Sequence, residues 1–301
     1  MNPVMSPVQI DPKIYQLYDE YCHGGMDRRE FLAKASAIAV GGLAMAQAMF
    51  PRYVNAQTVS FTDTRIKAQY VTYPSPGGNS GQMRAYLVQP VTPAPGPQGK
   101  TNPAVMVIHE NRGLNPYVED VARRLAAAGF LAMAPDGLHP VGGYPGNDDQ
   151  GRELQASLNP AKLQTDMLNS AVFLKNHALS SGHLGVTGFC WGGGITNFLA
   201  AELGADMKAG APYYGEAAKA EKVAAIRCEL LLHFAENDPR INAQWPAFQS
   251  ALEAKSIKHL AHVYAGTQHG FHNNSTPRYV QAAAELSWSR TLEFFKKNLM
   301  A

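Results

Sequence analysis

Val186-Thr187-Gly188-Phe189-Cys190-Trp191-Gly192-Gly193-Gly194 is the stretch on which the fold turns. An apolar run from Leu184 leads into it, and apolar residues at helical spacing (Ile195, Phe198, Leu199, Leu203) lead out. The pattern predicts a strand, a sharp glycine turn and a helix, the context in which a glycine-flanked nucleophile motif has meaning. Gly188 and Gly192 bracket Cys190, where the backbone must bend tightly and pass close to a neighbouring strand. A side chain at such an apex projects alone, with the next N–H and a helix N-terminus beside it. Both favour a thiolate and can stabilise an oxyanion. The competing reading is a buried structural cysteine beside glycines that only let a helix pack on a sheet.

Outward from this elbow the chain alternates strand and helix. Residues 66–73 and 83–89 alternate as strands around the turn-rich Pro74-Ser75-Pro76-Gly77-Gly78-Asn79 and read as a hairpin. Residues 104–108 and 130–134 are continuous apolar runs, as central strands buried on both faces require. Residues 135–150 read as loop, and 118–128, 160–177, 244–255 and 279–298 as helices. Short apolar strands are expected at 184–188, 209–214, 230–234 and 262–264. This is an α/β pattern: a doubly wound, mostly parallel sheet flanked by helices, without an internal repeat.

In such a sheet the ligand site lies beyond the C-terminal strand ends, and the reactive residues fall there. Glu110 and Asn111 follow 104–108, Cys190 follows 184–188, Asp238 follows 230–234, and His269 follows 262–264. The order nucleophile, acid, histidine is that of the α/β-hydrolase fold. Taken singly, Asp238 before Pro239 could initiate a turn, and His269 could be a solvated loop histidine.

The formal net charge of +2 gives no reason to expect nucleic acid as a partner. Charged residues at 17% fit an apolar-cored enzyme better than a disordered chain. Three cysteines in no C-x-x-C pair argue against a disulfide scaffold or a zinc ribbon. Cys228 precedes its strand, so it should lie at the opposite end of the sheet from Cys190, out of disulfide reach. His109-Glu110 lacks the second histidine of a zinc-protease helix, and His269 and His272 alone are a weak metal pair, so neither metal nor cofactor is expected. A large domain over 57–301 is preceded by a distinct segment, 1–56. There Arg28-Arg29, Phe31-Leu32, a soft apolar run and Val54-Asn55-Ala56 resemble a twin-arginine export signal, with cleavage after Ala56. The expectation is a periplasmic or exported protein, carried by the twin-arginine machinery, with no integral membrane span in the mature chain. The competing reading is an amphipathic helix that packs on the domain or anchors it to a surface, leaving the protein cytoplasmic or membrane-associated; Tyr15, Leu17, Tyr18 and Tyr21 ahead of the arginines support it. A monomer or small homo-oligomer is expected.

Together these motifs resemble the dienelactone hydrolase family, the cysteine branch of the α/β-hydrolase fold. The resemblance covers about residues 61–299 and rests on His109-Glu110-Asn111-Arg112-Gly113, Gly188-Phe189-Cys190-Trp191-Gly192-Gly193, Glu236-Asn237-Asp238 and His269-Gly270-Phe271. It implies Cys190 as nucleophile, His269 as general base and then acid, and Asp238 as the group orienting the imidazole. It implies an oxyanion hole from the backbone N–H groups of Trp191 and Asn111. It also implies that Glu110 partners the resting thiol until substrate binds. The namesake enzymes bind a carboxylate-bearing lactone with two arginines, one in a His-Ser-Phe-x-Arg pattern. Here that stretch reads His269-Gly270-Phe271-His272-Asn273, so serine and arginine are both absent. Arg152 is the candidate for the other arginine, and His272, Asn273 and Arg278 are candidates to read a different polar group. The expected function is hydrolysis of a small ester or lactone through a cysteine acyl-enzyme. A redox-sensitive thiol binding protein of the cell envelope and an acyltransferase stay open as alternatives.

Overall fold

Val105 and Val107 bury themselves on one face of the sheet, and Met106 and Ile108 on the other. That is why the run they form is apolar at every position rather than at alternate ones. The computed structural model describes residues 11–22, 26–38, 41, 45–46, 49, 57–92 and 102–300. The expected peptidase site, Val54-Asn55-Ala56, lies outside the described residues. Eight strands form one sheet: β1 (Ile66–Pro74), β2 (Gln82–Pro90), β3 (Asn102–Ile108), β4 (Leu131–Pro135), β5 (Ser180–Phe189), β6 (Met207–Tyr213), β7 (Glu229–Asn237) and β8 (His259–Gln268). Their order is β1-β2-β4-β3-β5-β6-β7-β8. The β1–β2 hairpin is antiparallel and β2 meets β4 antiparallel, whereas the pairings from β4 through β3 to β8 are all parallel.

Helices cover both faces. On one side lie α3 (Pro116–Ala127) and α9 (Gln281–Leu299), burying Val118, Val121, Leu125, Phe295 and Leu299 against Val105, Val107 and Leu231. On the other lie α5 (Pro160–Asn176), α6 (Trp191–Leu203) and α8 (Trp245–Ala254), burying Met167, Leu174, Leu199 and Leu252 against Met106, Ile108 and Val186. Full burial of one such aliphatic side chain stabilises the fold by about 1.5–3 kcal/mol. Asn115 and Asn159 cap α3 and α5, each followed by a proline at the first helical position.

Part of the stretch expected as loop is helical. After a 3-10 turn at 139–141, α4 (Asp148–Ser157) begins on an Asn147 cap. Gly151 hid it from a periodicity reading. A Cβ there would stand 2.3 Å from the Arg112 carbonyl oxygen, so the glycine marks a close approach between helix and backbone rather than a turn.

The N-terminal segment contributes α1 (Pro12–Cys22) and α2 (Arg28–Ile38). Tyr18, Tyr21 and Phe31 form a small aromatic cluster between them, with ring centroids 5.2–5.9 Å apart. Arg28, its side chain half exposed, forms a 2.6 Å ion pair with Asp149 of α4. Among the described residues no helix is long and apolar enough to cross a membrane.

Candidate active site

Cys190 stands between the end of β5 and the start of α6 with φ +56°, in the left-handed region that side chains avoid. Two glycines make the bend possible. A Cβ on Gly188 would lie 2.2 Å from the Gly192 carbonyl oxygen, and one on Gly192 would lie 2.4 Å from that of Ile108. The Cys190 N–H donates to the Tyr213 carbonyl (3.1 Å), tying the apex to β6.

Asp238 and His269 are the first residues beyond β7 and β8. His269 Nδ1 bonds Asp238 Oδ2 at 2.6 Å, both side chains being buried. Asp238 Oδ1 meanwhile accepts from Ile241 N (3.4 Å), capping the short helix α7 (Pro239–Asn242). The turn-initiating and imidazole-orienting readings of this aspartate therefore hold together, one for each oxygen. Burial pushes the His269 imidazolium toward deprotonation, but an ionised Cys190, with Asp238 and Asp19, outweighs it and holds the ring well above the usual histidine range.

Glu110 lies just past β3, buried, and accepts from Asn273 Nδ2 at 3.0 Å. Its carboxyl is raised above the ordinary value by burial; Arg112 pulls it down, and the neighbouring Cys190 charge pushes it up. Asn111 and Trp191 border a cavity of about 340 Å³ together with Cys190, Ile195, Glu216 and Arg240. The Trp191 ring stacks on His109, centroids 5.2 Å apart. A second cavity, about 410 Å³, opens over Asp238 and His269 and is also walled by Arg240 and Arg278.

The sequence profile of the dienelactone hydrolase family matches residues 83–299, most of the chain. The chain belongs to the dienelactone hydrolase family. It is a hydrolase of the dienelactone hydrolase type on an α/β-hydrolase sheet. A "Putative carboxymethylenebutenolidase" of Escherichia coli (strain K12) is 30% identical over 255 residues, covering 79% of this chain and 90% of that protein. The "Putative hydrolase fragment YghX" of the same strain is 59% identical over 118 residues, which is 39% of this chain and 96% of the fragment. Among solved structures, a "Putative Dienelactone Hydrolase" from Klebsiella pneumoniae superposes with TM-score 0.63 at 25% identity, covering 76% of this chain and 99% of its own. A separate YqhI-like profile matches residues 1–40, the segment that holds α1 and α2.

In this family member the residues singled out for substrate contact lie in unlike places. Arg152 stacks its guanidinium 4.2 Å over the Tyr21 ring and donates to the Tyr21 carbonyl, so it meets α1. His272 is buried against Phe189 (5.1 Å) with Nδ1 bonded to the Tyr117 hydroxyl (2.7 Å), and burial drives it well below the usual histidine range. A neutral ring packed in the core holds no charge for a ligand. Asn273 holds Glu110, and its own Oδ1 accepts from the Ser275 hydroxyl at 2.6 Å. Arg278 lines the 410 Å³ cavity over His269.

Periodicity reading passed over three features. Tyr214 follows β6 with φ +36°, its ring 4.9 Å from His269 and its buried hydroxyl without a hydrogen-bond partner among the described residues. Its place one residue beyond an apolar strand is the signal that could have found it. Arg240, two residues past Asp238, borders both cavities. From α1, Cys22 accepts from Asn111 Nδ2 through its carbonyl (2.7 Å), and its thiol receives Arg112. Nothing local in residues 12–22 points to that partner. None of the three cysteines is in a disulfide, and Cys228, just ahead of β7, sits at the sheet end opposite Cys190. Among the described residues no group of His, Cys, Asp and Glu is arranged to hold a metal ion.

Proposed function

We propose that this chain cleaves a small ester or lactone through a thioester on Cys190, with His269 and Asp238 completing a catalytic triad. The observation that carries the reading is the 2.6 Å His269–Asp238 bond at the strand ends beside a cysteine held at φ +56°. His269 accepts the thiol proton, and Cys190 Sγ attacks the carbonyl carbon. The oxyanion that forms lies between the backbone N–H groups of Trp191 and Asn111, where losing one donor typically costs about 10²–10³ in rate. Collapse breaks the C–O bond, and His269 returns its proton to the leaving oxygen; in a lactone that oxygen stays tethered to the acyl chain. Water, deprotonated by His269, then hydrolyses the thioester and restores the thiol. Glu110 opposes a second negative charge at Cys190 in the resting site, so thiolate forms as substrate arrives.

The test is a stopped-flow time course with a neutral activated aryl ester, comparing wild type with Cys190→Ala. A burst equal to the enzyme concentration followed by turnover, both absent from the variant, is expected. A burst without turnover would mean acyl transfer to another acceptor. No burst, with Cys190 readily alkylated, would mean a thiol binding protein.

Export by the twin-arginine route belongs to the same reading, because Arg28-Arg29 opens α2 ahead of Phe31-Leu32. Fractionation of cells making the full chain, against an Arg28→Lys/Arg29→Lys variant, tests it. Periplasmic protein lost in the variant is expected; equal cytoplasmic retention of both would remove export from the proposal.

A further inference from the structure

Two cavities border the site, and they divide its residues between them. Cys190, Asn111 and Trp191 line the 340 Å³ cavity, and among the described residues His269 does not. His269 and Asp238 line the 410 Å³ cavity. When an ester is cleaved, the breaking C–O bond leaves an oxygen that takes its proton from His269, so the alcohol half departs on the histidine side. The acyl half stays on Cys190 Sγ and needs room on the other side of the sulfur.

The 340 Å³ cavity supplies that room as an apolar trough. Trp191, Ile195, Phe198 and Ala201 recur at steps of three and four residues along α6, so they share one face of that helix. Ala217 and Ala218, which follow β6, and Ile241 of α7 also line it. The charged groups of its wall are mostly paired with one another: Lys222 Nζ lies 2.9 Å from Glu202 Oε1, and Arg240 Nη1 lies 3.3 Å from Glu216 Oε1. Lys219, the other charged lining residue, is exposed. A chain entering here covers aliphatic and aromatic surface without stripping water from an isolated buried charge. The histidine side is of another character, lined by Gln16, Glu20, Asn237, Arg240, Gln268 and Arg278.

We propose that the trough along α6 is an acyl-chain subsite, and that the enzyme takes open-chain esters of apolar carboxylic acids, with the leaving alcohol in the cavity over His269. A small lactone joins the two halves in one ring and leaves the trough unfilled, whereas an open-chain ester fills it. The word acyl rests on the hydrolytic reading above; the trough's fit to an apolar chain does not.

The experiment measures kcat/KM of the full chain for aryl esters of acetate, butyrate and hexanoate that share one leaving group. Each CH₂ buried is worth up to about fourfold, so hexanoate should exceed acetate by about tenfold or more. Ala217 and Ala218 are only partly buried, so Ala217→Leu and Ala218→Leu narrow the trough without opening the core. Each should lower the hexanoate-to-acetate ratio by about tenfold. Phe198→Ala widens the trough and should move the preference from hexanoate toward octanoate. A wild-type ratio near one, or variants that leave the ratio unchanged, would overturn the proposal. So would faster cleavage of the adipate monoester, which matches hexanoate in length but ends in a carboxylate; Lys219 and Lys222 would then be reading an anion.

A binding measurement separates this proposal from the hydrolytic reading. On Cys190→Ala protein, hexanamide should change the tryptophan fluorescence saturably, through Trp191 in the wall. Acetamide should bind about tenfold or more weaker. Hexanamide binding with no ester turnover in wild type would remove the hydrolytic reading and support the trough as a site for an apolar chain. Ester turnover that ignores acyl length, with no hexanamide binding, would remove the trough alone.

Discussion

Asn237 of β7 and Gln268 of β8 pair in register, so the residues that follow them, Asp238 and His269, emerge side by side and bond at 2.6 Å. Two loops that are far apart in sequence are thereby aligned by sheet geometry, and each side chain needs only one step beyond its strand.

Asp238→Asn isolates this pairing. Asparagine is as good an N-cap as aspartate, so α7 should persist. The variant loses one of the negative charges that, against burial, raise His269, so the His269 pKa falls. Ester turnover should drop about 10³–10⁴-fold with little change in KM, as expected when an imidazole loses its orienting carboxylate. Steady-state kinetics with histidine NMR checks both; an unchanged kcat would remove Asp238 from the mechanism.

Glu110→Gln should stabilise the protein at neutral pH. The folded-state carboxyl is raised above the ordinary 4.5, chiefly by burial. A raised group contributes stability below its unfolded pKa and loses it as pH rises through the folded value. Gln has no charge to bury and can still accept from Asn273. Urea midpoints should therefore diverge in favour of the variant as pH rises from about 4 toward 8. Divergence in favour of wild type would mean that Arg112 and Arg278 hold Glu110 ionised.

Gly192→Ala should damage the elbow. The added methyl meets the Ile108 and His109 carbonyl oxygens at 2.4 and 2.6 Å, and backbone cannot swing aside as a side chain can. A loss of about 2 kcal/mol or more is expected, visible as a lowered thermal midpoint or as insoluble protein. Gly194→Ala, whose methyl would meet Glu216 N only at 3.4 Å, is the control and should melt close to wild type.

Tyr214→Phe should make the protein stabler and slower. Its hydroxyl is buried without a partner among the described residues, and burial together with neighbouring Tyr117, Glu110 and Cys190 keeps it protonated. Removing such a group recovers about 1 kcal/mol or more of desolvation cost. The Tyr214 ring lies 4.9 Å from that of His269, centroid to centroid, so a fall in kcat without a fall in folding stability is the expected pair of results. Calorimetry and kinetics on one preparation decide it; a less stable variant would show that the hydroxyl has a structural partner.

Much of this site was legible before any coordinates. Each strand that carries a functional residue is a run of apolar side chains, because a central parallel strand is buried on both faces, and the chain's polar residues then mark where each strand ends. That placed Glu110, Cys190, Asp238 and His269 on one edge. Where side chains pointed beyond the edge was not legible. Arg152, His272 and Asn273 sit near the right residues in sequence, but one caps a helix contact, one fills the core behind Phe189, and one holds Glu110.

The sequence by itself determined the strand order's raw material, the cysteine elbow and the acid-then-histidine order, since all follow from local periodicity and from glycines that a tight turn cannot replace. Only the tertiary structure decided what covers the site. The contacts of Tyr18 and Asp19 with Arg112, Arg240 and Arg278 join residues separated by ninety positions or more, and no local pattern encodes which buried guanidinium a distant helix will meet. Burial made the choice: charges that the core strands cannot solvate were left for α1 to approach.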